Sequence, residues 1–288
     1  MKQIAAGFKE AKNITRRHAK TFYLASLFLS EEERYFSYSV YAICRLSDQC
    51  VDGFSLEKPQ DQLKILKEKI EAVYSQNVPL DNLLSSLRFT VEKCQIPKDY
   101  FYELINGMEM DLIKGRYADF EELRLYCYRV ASVVGLIMLK ILGAKKIEAQ
   151  KYAIDLGIAM QLTNIIRDLK EDFQMGRIYI PLNEMSIFGI NEESFKNSVE
   201  VTRNLKLLIA SQIKRSREYY RRSAGGIKFL PNLRTRFVVL TMKEMYSAIL
   251  KEVEFNNYDV FSKRAFVKLH KKVIIILKIL IKGEYLCR

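Results

Sequence analysis

Apolar residues recur at spacings of three and four along almost the whole chain, the period of a helix that buries one face. The pattern predicts helices over 3–25, 31–52, 60–75, 79–94, 98–114, 119–142, 146–173, 192–223, 232–254 and 263–282. Breakers fall between them. Asp52-Gly53 with Pro59 closes the second helix, Asn77, Pro79 and Pro97 separate the next, and Gly143, Gly176 and Gly225-Gly226 with Pro231 mark later ends. No internal repeat and no low-complexity linker interrupts the series. The expectation is one compact all-α domain over residues 1–288, with helices packed round a central space.

Composition changes this picture little; charge changes it more. Five prolines in 288 residues leave long stretches free for helix. The formal net charge of +13 points to an anionic partner: nucleic acid, an acidic membrane surface or phosphorylated substrates. No zinc-finger spacing or basic-aromatic RNA-binding motif is present, so no nucleic-acid partner is expected. Cys44, Cys50, Cys94, Cys127 and Cys287 form no CxxC pair and read as buried thiols in a reducing compartment. The N-terminus lacks a secretory pattern, so a cytoplasmic location is expected. Near the C-terminus, the apolar run Val273–Ile281 contains Lys278 and is far short of the roughly 20 residues a bilayer span needs. It reads either as a core helix or as a basic amphipathic surface for peripheral membrane contact.

Two acidic stripes carry the chemistry. Asp48 and Asp52 lie one turn apart on one helix face, with Arg45 on the same face. Gln161, Asn164, Asp168 and Asp172 fall on a narrow stripe of an otherwise apolar helix. Such a stripe would be costly in a dry core, so it is expected to line a wet cavity. Four carboxylates facing each other suit Mg²⁺, with Mn²⁺ as a substitute, bridging to substrate phosphates. Arg45, Arg167, Arg177 and Lys20 would complete a diphosphate site. The chemistry supported is ionisation of an allylic diphosphate, with the resulting carbocation held in an apolar, aromatic-lined cavity.

The segments HAKTFYLAS (18–26), YAICRLSDQCVDG (41–53), EMDLIKGRY (109–117), YCYRVASVVG (126–135), QLTNIIRDLKEDFQMGRIYIP (161–181) and YDVFSKRAFV (258–267) together resemble the squalene/phytoene synthases, the head-to-head trans-prenyltransferases. The resemblance implies the α-helical isoprenoid synthase fold and a transferase. It implies that Asp48, Asp52, Asp168 and Asp172 hold Mg²⁺ and diphosphate, with Asn164 as a further metal contact and Gln161 lining the site. Arg45 and His18 match contacts to the first diphosphate, Arg167 and Arg177 later diphosphate-binding cations. Tyr126 matches a cavity tyrosine near the reacting carbons, and Tyr246 a further site tyrosine. The implied reaction passes through a cyclopropylcarbinyl diphosphate.

Product length is argued from Phe22 and Ser26, one turn apart and expected to face the same cavity. Small Ser26 leaves room for a long tail. Two geranylgeranyl diphosphates giving phytoene, a carotenoid precursor, is the expected reaction. The alternative is two farnesyl diphosphates giving squalene, dehydrosqualene or presqualene diphosphate in C30 terpenoid or hopanoid biosynthesis, with NADPH needed only for squalene. A non-catalytic, membrane-associated relative would be expected to lose the aspartates, and all four are present.

Overall fold

A computed structural model describes residues 1–52, 58–196 and 201–286. Its helices are α1 (Lys2–His18), α2 (Lys20–Ser26), α3 (Glu31–Asp52), α4 (Pro59–Tyr74), α5 (Asn82–Cys94), α6 (Lys98–Ile113), α7 (Phe120–Cys127), α8 (Val133–Ile141), α9 (Ala149–Arg167), α10 (Leu169–Gln174), α11 (Leu182–Ile187), α12 (Glu193–Lys196), α13 (Arg203–Ser223), α14 (Leu233–Phe255) and α15 (Leu269–Lys282). The described residues contain no strand; a lone parallel bridge joins Arg116 to Ile178. The all-α expectation holds. Gly53, residues 197–200 of the helix expected over 192–223, and Cys287 lie outside the described residues.

Side-chain caps set five of the described helix starts. Before α3, the Ser30 amide donates to Glu33 Oε2 at 2.9 Å while the Glu33 amide donates to Ser30 Oγ at 3.3 Å, a reciprocal capping box. Asp81, Asp119, Thr202 and Asn232 accept backbone amides at the starts of α5, α7, α13 and α14. At the other end of a helix, Gly143 follows α8 with φ +73°, a conformation that favours glycine.

Four helices expected to be continuous are not; the one expected over 192–223 is interrupted before α13, whose N-cap Thr202 is extended (φ −61°, ψ 160°). The helix expected over 3–25 breaks at Ala19 (φ −128°, ψ 59°). No breaker marks the spot: α1 docks on α3 and α5 while α2 turns away to dock on α14. Within 119–142, residues Tyr128–Ser132 form a π-helical turn between α7 and α8. Such turns recur at functional sites. The helix expected over 146–173 starts at Ala149 and kinks at Asp168 (φ −103°, ψ 15°), which separates α9 from α10. The segment 263–268 precedes α15 rather than joining it.

The core has two large apolar clusters. One gathers α1, α3, α5 and α6 round Tyr38, Ile43, Leu87 and Phe101; the other gathers α9, α13 and α14 round Ile158, Leu162, Leu208 and Leu250. Helix α9 packs on α8, α13 and α14. Close approach is possible because Gly157 has no side chain: a Cβ there would lie 2.5 Å from Ser132 Cα in the π turn. Of the cysteines expected to be buried, Cys127 is; Cys44, Cys50 and Cys94 are only half-buried.

Candidate active site

A cavity of about 990 Å³ opens between α2, α3, α6, α8, α9, α10 and α14. Its walls change character along the helices. On α3 the lining runs from Val40, Tyr41 and Cys44 to Asp48 and Asp52; on α9 it runs from Ala149, Ala153 and Leu156 to Gln161, Asn164 and Asp168. Helical spacing puts each series on one face. The acidic end is therefore built where two helices finish. Asp52 ends α3, whose last turn holds no basic residue, and Asp168 caps α9. Carboxylates there add to the negative end of each helix dipole, an arrangement that calls for cations.

Arginines answer part of that charge. Arg167 Nε donates to Asp168 Oδ1 at 2.8 Å and its Nη2 pairs with Oδ2. Arg264 donates to the same two oxygens from Nε and Nη2 at 2.7 and 3.0 Å. Arg177 Nη1 donates to Asp52 Oδ1 at 2.7 Å. Gly176 (φ +80°) supplies the turn that brings Arg177 back to the cavity after α10. The returning strand-like segment is held by the Ile178 amide on Gly115 O at 2.9 Å. That register places Tyr179 beside Tyr126. Tyr126 donates to Asp111 Oδ2 at 2.9 Å, Tyr179 donates to Asp111 Oδ1 at 2.7 Å, and the two phenol oxygens stand 3.2 Å apart.

The remaining carboxylates are poorly neutralised. Burial, and then repulsion by Asp52 and Asp111, push Asp48 up to about 7 against the pull of Arg45. Asp172 rises to about 8, through burial and the charges of Asp168, Asp111 and Asp52, which outweigh Arg177. Asp111 rises to about 6 through burial, although the two tyrosines and Arg177 oppose this. Asp168 goes the other way: burial would raise it, but Arg167 and Arg264 hold it below the usual carboxylate range. Burial pushes the Tyr126 phenol well up, so it is neutral. Burial and then Arg45 and Arg17 lower His18.

Most residues expected from sequence line this one cavity. At its acidic end are Asp48, Asp52, Asp168, Asp172, Gln161, Asn164, Arg167 and Arg177; His18, Lys20, Phe22, Tyr126 and Tyr246 line it as well. Two do not line it. Arg45 does not line the cavity, though its charge acts on both Asp48 and His18, and its Nε is buried with no hydrogen-bond partner. Ser26 is fully buried: its hydroxyl donates to Tyr23 O at 2.7 Å and meets the Tyr38 hydroxyl at 2.8 Å. The expectation that Ser26 faces the cavity with Phe22 is corrected. The break at Ala19 reorients α2, and Ser26 packs back on α3. Sequence reasoning missed Asp111, Tyr179, Arg264, Tyr41 and Lys272, all of which line the cavity. Four of them lie in segments already singled out, YAICRLSDQCVDG, EMDLIKGRY, GRIYIP and SKRAFV, and a lone acid, arginine or tyrosine there gave no helical stripe to read.

The donor set fits a hard divalent cation. Five carboxylates share one end of the cavity, three of them raised by burial and mutual repulsion, and Asn164 Oδ1 is buried with no hydrogen-bond partner. Among the described residues no three side chains form a ready-made metal cage. Mg²⁺ commonly takes only one or two carboxylates and completes its shell with water and phosphate oxygens.

Comparison with known proteins places the chain in a family. The family model described as squalene/phytoene synthase matches residues 15–271. A 15-cis-phytoene synthase of Synechocystis sp. is 35% identical, over 94% of this chain and 83% of that protein. A chloroplastic phytoene synthase of an Oncidium hybrid cultivar is 37% identical over 91% of this chain, which spans only 64% of that longer protein. The crystal structure of a dehydrosqualene synthase in complex with ligand superposes with a TM-score of 0.92 at 27% identity, covering 98% of each chain. The chain belongs to the squalene/phytoene synthase family.

Proposed function

We propose that this protein joins two prenyl diphosphates head to head, with geranylgeranyl diphosphate as substrate and phytoene as product. One observation carries this reading: an acidic and arginine-rich end opens directly into an apolar cavity that follows α9 from Asp168 back to Ala149, roughly 28 Å at 1.5 Å per residue. A diphosphate held at the charged end would lay its tail along the apolar face.

Arg167, Arg177 and Arg264 are the diphosphate-binding cations, with Lys20 and Lys272 at the rim. These arginines pair with Asp52 and Asp168. An arriving diphosphate would take them over and release the carboxylates. Asp48, Asp52, Asp168 and Asp172, with Asn164, would then hold Mg²⁺. When bound, Mg²⁺ supplies neutralisation of the charge on the departing pyrophosphate. The apolar walls, with Leu156 and Met160 of α9, keep water from the carbocation. Phe22, Tyr41 and Tyr246 offer it ring faces. Tyr126 already directs its proton to Asp111, so its oxygen lone pairs are free to accept a proton from the closing cyclopropane while its own passes to Asp111.

The test is incubation of purified protein and Mg²⁺ with each labelled diphosphate, with and without NADPH. Phytoene from geranylgeranyl diphosphate, without NADPH, is expected; a C30 product alone would sink the reading. The second reading, farnesyl diphosphate giving a C30 product, draws on the likeness to the dehydrosqualene synthase structure. NADPH would matter only if that product is squalene. No helix of the described residues is long and apolar enough to cross a membrane, and a lipid substrate makes peripheral contact the natural mode of membrane association.

A further inference from the structure

Helix α15 wears its apolar face outward. Only Ile279 is fully buried, at 3% exposure, whereas Val273, Ile274, Leu277, Leu280 and Ile281 are between 44% and 84% exposed. At 100° per residue these five fall within about 60° of Leu277, so they form one stripe pointing away from the protein. The sequence left a core helix and a surface helix open; the side chains choose the surface. Lys271, Lys278 and Lys282 follow along one flank of the stripe, Lys271 paired with Glu252 at 2.5 Å and Lys282 with Glu284 at 3.5 Å, and Leu269–Lys282 itself contains no acidic residue. Beside Lys271, whose Nζ sits 5.5 Å from the Phe255 ring centroid, Phe255 is 83% exposed and widens the apolar edge.

The same segment reaches the cavity. Phe266, 65% exposed just before α15, also lines the cavity, as does Lys272, whose Nζ donates to Thr21 Oγ1 on α2 at 2.6 Å. The segment that carries the outward stripe thus also contributes to the cavity wall.

We infer that α15 is a docking face for the surface of a bilayer containing anionic lipids, and that it sets the cavity mouth against the membrane so that tails pass from one apolar medium to another. Charge complementarity selects this occupant over a second copy of the chain: a face flanked by lysines on a protein of net charge +13 would repel its own copy and attract an acidic headgroup layer. At 14 residues α15 lies in the interface and does not span it. The passage of tails rests on the proposed function, whereas docking itself does not.

The experiment is co-sedimentation of the whole chain with sucrose-loaded vesicles of phosphatidylcholine, alone or mixed with phosphatidylglycerol, with no substrate present. The wild type should sediment with the mixed vesicles, and added salt should weaken it. The pair Leu277→Glu and Ile281→Glu should lower the partition coefficient by about tenfold or more, since two aliphatic side chains lose their burial. The pair Leu277→Ser and Ile281→Ser, which leaves net charge unchanged, should do the same and carries the test if the first pair misfolds. Turnover of detergent-dispersed substrate should be unchanged in both. Equal partition of wild type and both variants would overturn docking. So would a wild type that ignores vesicles and is a dimer that the variants dissociate. Vesicle binding without head-to-head product would instead overturn the proposed function and leave docking standing.

Discussion

The Tyr126 phenol donates a 2.9 Å hydrogen bond to Asp111, and Tyr179 holds the other oxygen of that carboxylate at 2.7 Å. If Tyr126 passes a proton to Asp111 during turnover, Tyr126→Phe should slow the reaction about a hundredfold or more, the scale of positioned acid–base groups. Tyr179→Phe leaves the Tyr126–Asp111 bond in place and should cost about tenfold or less. Steady-state turnover of the two variants checks this, and equal rates in wild type and Tyr126→Phe would remove Tyr126 from the proton path.

Asp48→Asn and Asp168→Asn should both lower Mg²⁺-dependent turnover by orders of magnitude, yet differ in metal-free stability. Asp48 is repelled by Asp52 and Asp111, so its neutralisation should leave the melting temperature unchanged or higher. Asp168 pairs with Arg167 and Arg264. Removing its charge should destabilise by about 1–3 kcal/mol, discounted because Arg264 is half exposed. Calorimetry of the two metal-free variants separates the cases; identical shifts would contradict the charge distribution described.

Stability should depend on pH with a definite sign. Asp48 and Asp172 bind protons more tightly in the folded protein, at about 7 and about 8, than the ordinary 3.8 expected of the unfolded chain. Between about pH 4 and 8 the folded state therefore holds more protons, and metal-free stability falls as pH rises through that window. Asp168 contributes oppositely: its stabilisation is present above the unfolded value and lost as pH falls through its lowered folded value. Melting temperatures without metal should decline from pH 5 to 8, and Asp172→Asn should flatten the decline. A rising wild-type curve over that range would count against the buried acidic cluster.

Mg²⁺ and pyrophosphate should bind together better than apart, because the arginines that pair with Asp52 and Asp168 must change partner before either ligand is fully held. Titration calorimetry should give each a higher affinity in the presence of the other by the same factor. Arg264→Gln should strengthen Mg²⁺ alone by freeing Asp168, while weakening pyrophosphate. Independent binding would rule out the exchange of partners.

The helical class, the two acidic stripes and the family can be read from the order of residues alone, though not every helix break. Spacings of three and four are local, and Asp48 with Asp52, or Asn164 with Asp168, share a face wherever a helix forms. What each face meets depends on how the helices pack. Asp111 looks like any solvated helix acid until Tyr126 and Tyr179 close over it. Arg264 reaches Asp168 across 96 positions of chain. Ser26 shares a helix face with Phe22, yet the turn at Ala19, which no glycine or proline marks, packs it against Tyr38 instead of the cavity. The pattern of α15 is amphipathic either way round, and the fold turns its apolar side out. The physical reason is common to all four. Periodicity follows from the backbone and is written locally, whereas burial, pairing and the direction of a face depend on contacts between distant segments that no short stretch encodes.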